Sequence, residues 1–337
     1  MHFLITGHTG FKGAWLSLLL RERGHLVSGI SLDSESNSLF VRAKVADVLE
    51  NSIECDIRDS EKLQKHFQSV NPDVVIHLAA QSLVRESYKD PVGTFDTNVN
   101  GTINVLKSSQ FLGQLRAQLI VTTDKVYKNV NKLNGYLEDD PLGGADPYSA
   151  SKAMADIATQ SWVSSFPAAP TAIARAGNVI GGGDVCADRL IPDLVKSYSS
   201  GTTPRLRAPN SVRPWQHVLD CLNGYLTLVD AILAGKASGP WNFSPDQNQI
   251  RTVANVSEAA GEIWGANKSW EQDVSQHRHE ASLLLLNSNK AREELGWHDK
   301  LDFEESISWT VNWYKNVYEG NDPLIETLKN IRDFESR

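Results

Sequence analysis

Only three cysteines occur in this 337-residue chain, Cys55, Cys186 and Cys221, far apart in sequence and without CxxC spacing. Such a set leaves one thiol over even if two were bridged, so no disulfide framework and no metal site is expected, and a reducing cytoplasm is the simplest setting. No run of Lys or Arg relieves the net charge of -8. Nucleic acid and anionic membranes both reward clustered positive charge, so neither is expected as a partner. No apolar stretch approaches the roughly 20 residues that span a bilayer. The amino terminus runs into a strand-like MHFLIT with no basic segment, apolar core and small-residue cleavage site ahead of it, so no signal peptide is expected. Internal repeats and low-complexity segments are also missing. These absences leave a chain long enough for two linked lobes and suited to a small-molecule substrate.

What is present is an alternation of short apolar runs and helical patterns, the order a doubly wound parallel sheet requires. The runs are His2–Thr6, His25–Leu32, Ile53–Cys55, Asp73–Ala79, Ala117–Thr122 and Thr171–Arg175, each the length of a buried strand. Helical patterns cover Trp15–Arg23, Ser60–Val70, Val92–Leu112 and Tyr148–Phe166, several opened by Ser, Asp or Pro, with Gly24 closing the first. After Arg175 the texture changes to AGNVIGGGD and then to a basic loop, PRLRAPNSVRPWQ. His217–Asn242 again reads as a helix and a short strand able to return to the first sheet, and from Leu301 onward the pattern is an amphipathic helix with a polar tail. The expected fold class is α/β: a Rossmann-type doubly wound parallel sheet over residues 1–176, rejoined by a segment around 215–244, with a smaller mixed α/β substrate-binding lobe over most of 177–337.

The segment LITGHTGFKGAWLSLLL places Gly7, Gly10 and Gly13 at three-residue spacing between a strand and a helix, with Phe11 and Lys12 inside the loop. Glycines there let the backbone turn and approach a pyrophosphate, which the helix N-terminal N–H groups stabilise. The alternative is a tight structural turn. Asp33 lies twenty residues beyond Gly13, where an acid can accept hydrogen bonds from an adenosine ribose, and residues 28–40 contain no Arg or Lys for a 2'-phosphate. NAD is the expected cofactor. For Asp33 the competing reading is a solvated turn acid. Asp56 follows the third strand and can touch an adenine edge or serve as a helix N-cap.

In DPYSASKAMADI, Tyr148 and Lys152 stand four residues apart on one helical face. A tyrosine of reference pKa about 10 becomes a base near pH 7 only with about 4 kcal/mol of phenolate stabilisation; a nearby ammonium and a nicotinamide charge can supply it. The fifth apolar run ends in Thr122-Thr123-Asp124-Lys125. An exposed Asp-Lys ion pair is the ordinary reading of that dipeptide, but the carboxyl end of a parallel strand is where open sheets place ligands.

Taken together, the glycine loop, the strand order and YxxxK resemble the extended short-chain dehydrogenase/reductases. Within them, GHTGFKGAWL, HLAAQSLVRESY, TTDKVY, DPLGGADPYSASKA, ARAGNVIGGGD, DRLIPDLV and RPWQHVLD resemble the CDP-glucose 4,6-dehydratases, a likeness that continues through WNFSP, HEASLLLLNSNKAREELGW and SWTVNWY. The resemblance implies catalytic roles for Thr123, Asp124, Lys125, Tyr148 and Lys152. It implies that NAD, tightly bound and regenerated each turnover, meets the glycine loop, Asp33, Asp56, Ile57, Leu78, Ala79, Ala80, Asn98, Thr122, Tyr148 and Lys152. For the nucleotide sugar it implies Gln81, Ser82, Asn178, Arg189, Arg213 and, beside His279, Glu280. Arg189 has a helix-end salt bridge as its alternative, and Arg205 and Arg207 read as loop-solubilising.

The implied chemistry starts with Tyr148 taking the C4 hydroxyl proton. Lys125 then takes the C5 proton and Asp124 protonates the departing C6 hydroxyl. The resemblance also implies a homodimer paired through the helices Val92–Leu112 and Tyr148–Phe166. Rival readings are a dehydratase of another nucleotide hexose, a C4 epimerase, and an NAD-binding sensor without catalysis.

Overall fold

A computed structural model describes residues 1–167, 169–273 and 283–337. Its centre is a seven-stranded parallel sheet. β1 (His2–Thr6), β2 (Leu26–Ser31), β3 (Asn51–Glu54), β4 (Val74–His77), β5 (Ala117–Val121) and β6 (Thr171–Ala176) lie in the order β3-β2-β1-β4-β5-β6, and Gly239–Phe243 pairs with β6 as the last strand. Helices cover both faces, so the strands carry continuous apolar runs: β4 (VVIH) and β5 (AQLIV) are buried along their whole length.

The two-residue period of β1 divides the core. Phe3 and Ile5 point to one face, where helix Phe11–Glu22 contributes Trp15, Leu16 and Leu19 and helix Val218–Leu233 contributes Leu222, Tyr225 and Val229. Leu4 points to the other, against Leu63 and Phe67 of helix Ser60–Val70 and Val105 and Leu106 of helix Gly101–Gln110. Each fully buried side chain of this kind contributes about 1.5–3 kcal/mol, and together they hold the sheet rigid beneath its loops. At the reversal of strand order between β1 and β4, the loops at the carboxyl ends of β1, β4 and β5 open onto one crevice.

Two helices differ from the sequence reading. The first starts at Phe11 rather than Trp15, because Gly10 is its N-cap, which puts Lys12 and Gly13 in the first turn. The second is not one regular helix over Val92–Leu112. It runs Pro91–Phe95, widens to a π-helical turn over Asp96–Asn100, and resumes at Gly101–Gln110. In that turn the Asn98 amide meets the Gln81 backbone, accepting from its N–H (2.8 Å) and donating to its carbonyl (3.0 Å), and donates to Ser151 Oγ (2.9 Å).

In the second lobe, helices Leu190–Ser199, Val253–Trp264 and Phe303–Tyr318 share a core of Ile191, Leu194, Val256, Ala260, Ile307 and Val311. Short strand pairs floor it: Asn178–Ile180 with Trp215–His217, Arg205–Leu206 with Glu271–Gln272, and Val212–Arg213 with Arg251–Thr252. The pattern after Leu301 is two helices, since Pro323 begins a second one, Pro323–Glu335, whose Ile331 and Phe334 join the first core and whose Glu335 pairs with Arg23 at 2.8 Å. Among the described residues no helix is long and apolar enough to cross a membrane, and no group of three or more His, Cys, Asp or Glu could hold a metal ion.

Candidate active site

The glycine loop shows a cradle that only glycine allows. Gly7 sits at φ 81°, and a Cβ there would lie 2.6 Å from Ala79 N; a Cβ on Gly13 would lie 2.2 Å from the Gly7 carbonyl oxygen. No side chain caps the first turn of helix Phe11–Glu22 and no acid occupies it, so its N–H groups and dipole face the crevice. The residues present therefore fit a pyrophosphate. The cleft continues along Ile57, Leu78 and Ala80 to Thr122, Tyr148 and Lys152. At about 2040 Å³ it exceeds the roughly 300–1,000 Å³ of a single small-molecule site, leaving room for a dinucleotide and a second ligand side by side.

Three expected contacts, Asp33, Asn98 and Gln81, are placed away from the cleft lining. Asp33 is exposed and does not line the cleft; its Oδ1 accepts from Ser34 N (2.8 Å), the turn-acid alternative, while Ser31 and Leu32 face the groove. Asn98 and Gln81 are spent on structure. Asn98 holds the Gln81 backbone, and the Gln81 amide bonds Leu83 N (2.6 Å), Leu83 O and Thr94 Oγ1. Asp56 does line the cleft, but its carboxylate clasps Arg58 (Oδ2 to Nη2 2.6 Å), which lowers the Asp56 pKa; the helix cap is Asp59. Arg58 is a cleft-facing cation that a search of residues 28–40 passes over.

At the other end of the cleft the turn after β5 gathers the reactive groups. Thr123 caps the short turn Asp124–Val126 and donates to Asp124 Oδ1 (2.8 Å). Asp124 is 2% exposed, its Oδ2 has no hydrogen-bond partner, and burial raises its pKa against the pull of Lys125, Thr123, Arg213 and Lys12. A buried, half-satisfied carboxyl of this kind favours its neutral, proton-donating form. Lys125 is partly buried on the same turn and lines the cleft.

Helix Pro147–Ser165 delivers the other pair, started by Pro147 and by Asp146, which accepts from Ser149 N at 2.9 Å. Burial pushes the Tyr148 phenol up to about 12, and its hydrogen bond with Thr123 pulls the other way. Lys152 Nζ donates to the Val121 carbonyl (2.9 Å), and burial, with Lys12 nearby, lowers its pKa to about 8. Burial dominates at Tyr148, with Asp124 and Asp146 pushing its pKa the same way and Arg189 the other. Lys12, drawn into the site by the early helix start, places its ammonium 3.2 Å from Tyr225 Oη.

Across the cleft, Asn178, Arg189 and Arg213 face the same space. Arg189 bridges the lobes, donating to Asp184 (2.8 Å) and to Ser82 Oγ (3.2 Å). Arg213 is buried, with Nη1 on the Val212 carbonyl (2.8 Å). Arg205 is taken by Glu271 at the rim, but Arg207 turns inward to Asp188 (3.3 Å), which also holds Arg85 (2.8 Å). Neither Arg85 nor Arg207 was distinguishable in sequence from a surface cation. His279 and Glu280 lie outside the described residues.

A family model described as GDP-mannose 4,6 dehydratase matches residues 4–310. The chain belongs to that family. Within reach of it stands the CDP-glucose 4,6-dehydratase of Salmonella typhimurium, 41% identical over 343 residues that span 98% of this chain and 95% of the relative. The dTDP-glucose 4,6-dehydratase 1 of Escherichia coli is 26% identical over 93% of this chain and 92% of its own. Among solved structures, a Bacillus anthracis dTDP-glucose 4,6-dehydratase in complex with NAD superposes with a TM-score of 0.81 at 25% identity, covering 96% of this chain and 99% of that one. The superposition covers nearly the whole of both chains, so the fold described above is shared with that structure.

Proposed function

We propose that the chain catalyses the NAD-dependent 4,6-dehydration of CDP-glucose to CDP-4-dehydro-6-deoxy-glucose, a hydro-lyase reaction. The observation that carries it is the turn Thr123-Asp124-Lys125: a buried carboxyl with one unpartnered oxygen, beside an amine, at the Tyr148 end of a cleft that begins in a phosphate cradle. The identity to the Salmonella CDP-glucose enzyme supports the choice of substrate.

The cradle at Gly7, Gly10 and Gly13 would hold the NAD pyrophosphate, and Tyr148 and Lys152 would lie at its nicotinamide end. When bound, NAD supplies the hydride acceptor at C4, the hydride donor at C6 and a ring charge that favours the Tyr148 phenolate. Tyr148 takes the proton of the C4 hydroxyl. The resulting 4-ketone acidifies C5, whose proton Lys125 removes. Asp124, whose pKa burial raises, gives a proton to the C6 hydroxyl, which leaves as water. Lys125 returns its proton to C5. Thr123, bonded to Asp124 and in contact with Tyr148, offers the path by which the proton gained from C4 restores Asp124. Arg189, Arg213 and Asn178 would meet the diphosphate.

Because the cofactor is used twice in one turnover, NAD should copurify with the protein. A homodimer is part of the proposal: Val92 (78% exposed), Met154 (48%) and Ile157 (52%) form an apolar surface on the helices that would pair. Cys55, Cys186 and Cys221 are free thiols, which suits the cytoplasm. The test is to incubate the purified protein separately with CDP-, dTDP-, UDP- and GDP-hexoses and weigh the products. Loss of water from CDP-glucose alone is expected. Turnover of a different nucleotide would overturn the substrate, and an isomer of unchanged mass would overturn the reaction.

A further inference from the structure

Behind the catalytic turn lies a chain of polar groups that the proposed chemistry does not use. Asp156 sits one helical turn beyond Lys152 and receives both Nε and Nη2 of Arg175 from β6, each at 2.8 Å. Thr122, at the end of β5, donates to the same carboxylate (3.1 Å). The remaining guanidinium nitrogen, Arg175 Nη1, donates to Tyr127 Oη (2.8 Å) and the Glu138 carbonyl (2.9 Å). Tyr127 follows directly on the turn Asp124–Val126, stacks on Tyr136 (5.0 Å between rings) and donates to Asn242 Oδ1 (2.7 Å) on the last strand of the sheet. Asn242 N–H in turn donates to Glu138 (2.9 Å). Arg175 and Asp156 are 1% and 0% exposed.

Stability alone is a poor account of such a network. Desolvating a buried ion pair consumes most of its Coulomb attraction, and apolar residues of the same volume commonly do as well. What apolar residues cannot supply is direction. The bonds of Arg175 to Asp156 and Tyr127, and of Tyr127 to Asn242, run from the helix that carries Tyr148 and Lys152 through β6 to the residue after the catalytic turn and on to the last strand, so they link the two halves of the site. We propose that Asp156, Arg175 and Tyr127 are positioning residues that keep the turn bearing Asp124 and Lys125 in register with the helix bearing Tyr148 and Lys152. The inference rests on the proposed dehydration: the helix residues serve the oxidation at C4 and the turn residues the elimination of water, and the network joins the two.

The test is Tyr127→Phe, which keeps the stack on Tyr136 and deletes the hydroxyl between Arg175 and Asn242. Two readouts are taken. With CDP-glucose, the build-up of reduced-nicotinamide absorbance follows the first step and release of the 4-keto-6-deoxy product follows the second. Elimination is expected to slow about tenfold or more while oxidation stays within about twofold, since small misplacements of a reacting group carry costs of this order. The ratio of the two rates does not depend on how much of the sample is folded, so a merely structural defect leaves it unchanged. Without substrate, amide exchange should quicken over residues 123–128 and not over 148–152.

The double variant Asp156→Leu with Arg175→Met removes both charges together, leaves no lone buried ion, and should shift the ratio in the same direction. An unchanged ratio in Tyr127→Phe overturns the assignment. So does a changed ratio with unaltered exchange over 123–128. If the wild-type protein releases no product, the functional proposal fails while the exchange comparison still decides the positioning role.

Discussion

Asp124→Asn is expected to leave the protein folded and the oxidation at C4 intact while stalling the loss of water. The Asp124 side chain is 2% exposed, Oδ2 has no partner, and burial favours the neutral acid. An asparagine has nearly the same shape, matches the neutral acid in charge, and its carbonyl can keep the 2.8 Å bond donated by Thr123. Stability should therefore change by no more than about 1 kcal/mol, the scale of one hydrogen bond. The amide cannot give up a proton, so the elimination loses a positioned general acid, a term of about 10²–10⁴ in rate, or about 2.7–5.5 kcal/mol of barrier. Stopped-flow absorbance with CDP-glucose should show reduced nicotinamide rising at the wild-type rate and then persisting, with the alkaline absorbance of the keto sugar appearing at least a hundredfold more slowly. Product release at the wild-type rate would refute the assignment of Asp124 as the acid. Unfolding of the variant would refute the neutral state, because only a buried carboxylate whose charge mattered to the fold would be missed that badly.

Asp56→Ala should release Arg58 from its nearer carboxylate, 2.6 Å from Nη2, leaving Asp96 at 4.0 Å as its ion-pair partner among the described residues. A guanidinium released at the adenosine end would favour a 2'-phosphate by about 1.5–3 kcal/mol, so the NADP-to-NAD affinity ratio measured by calorimetry should rise at least about tenfold; a constant ratio would exclude Arg58 from that end. His77 is held neutral between Thr6 (2.6 Å) and Thr102 (3.0 Å), and burial lowers its pKa from 6.5 to about 3. The unfolded chain binds the extra proton in that window, so the contribution is complete above pH 6.5, is lost as pH falls toward 3, and amounts to about 4–5 kcal/mol across the window. His77→Gln should flatten the acid side of the unfolding free energy by one proton relative to wild type in denaturant titrations at a series of pH values. Ile157→Glu, at a position 52% exposed on the proposed pairing helix, should convert a dimer to a monomer in sedimentation velocity, and its melting temperature should no longer depend on protein concentration.

The strands were legible because a parallel strand covered on both faces has to be a short apolar run, and β1, β4, β5 and β6 are little else. The glycine loop was legible for a related reason: strand, three glycines and helix admit few geometries. Legibility failed where a side chain's partner is distant in sequence. Nothing local distinguishes Asn98 or Gln81 from ligand-binding amides, and only the π-helical turn brings them together. Arg175 reads as the polar end of a strand, since its carboxylate partner, Asp156, lies 19 residues earlier on a helix. Asp33 followed a spacing rule, yet Leu32 and Ser31 line the groove and its carboxylate accepts from Ser34 N. The Tyr148 pKa could not be read from YxxxK, because the spacing reports the ammonium and is silent about the depth of burial.

The last strand of the sheet, Gly239–Phe243, has a consequence for how the protein is made. When the ribosome has released the first six strands, β6 still presents an unpaired edge, and some sixty residues, second-lobe chain followed by helix Val218–Leu233, separate it from the strand that closes it. An open edge of this sort is a template for pairing with another nascent chain. The first lobe therefore cannot finish before much of the second has emerged, and expression of residues 1–176 alone should yield aggregate rather than a free dinucleotide-binding domain. The two lobes, separable on paper, are one unit in biosynthesis.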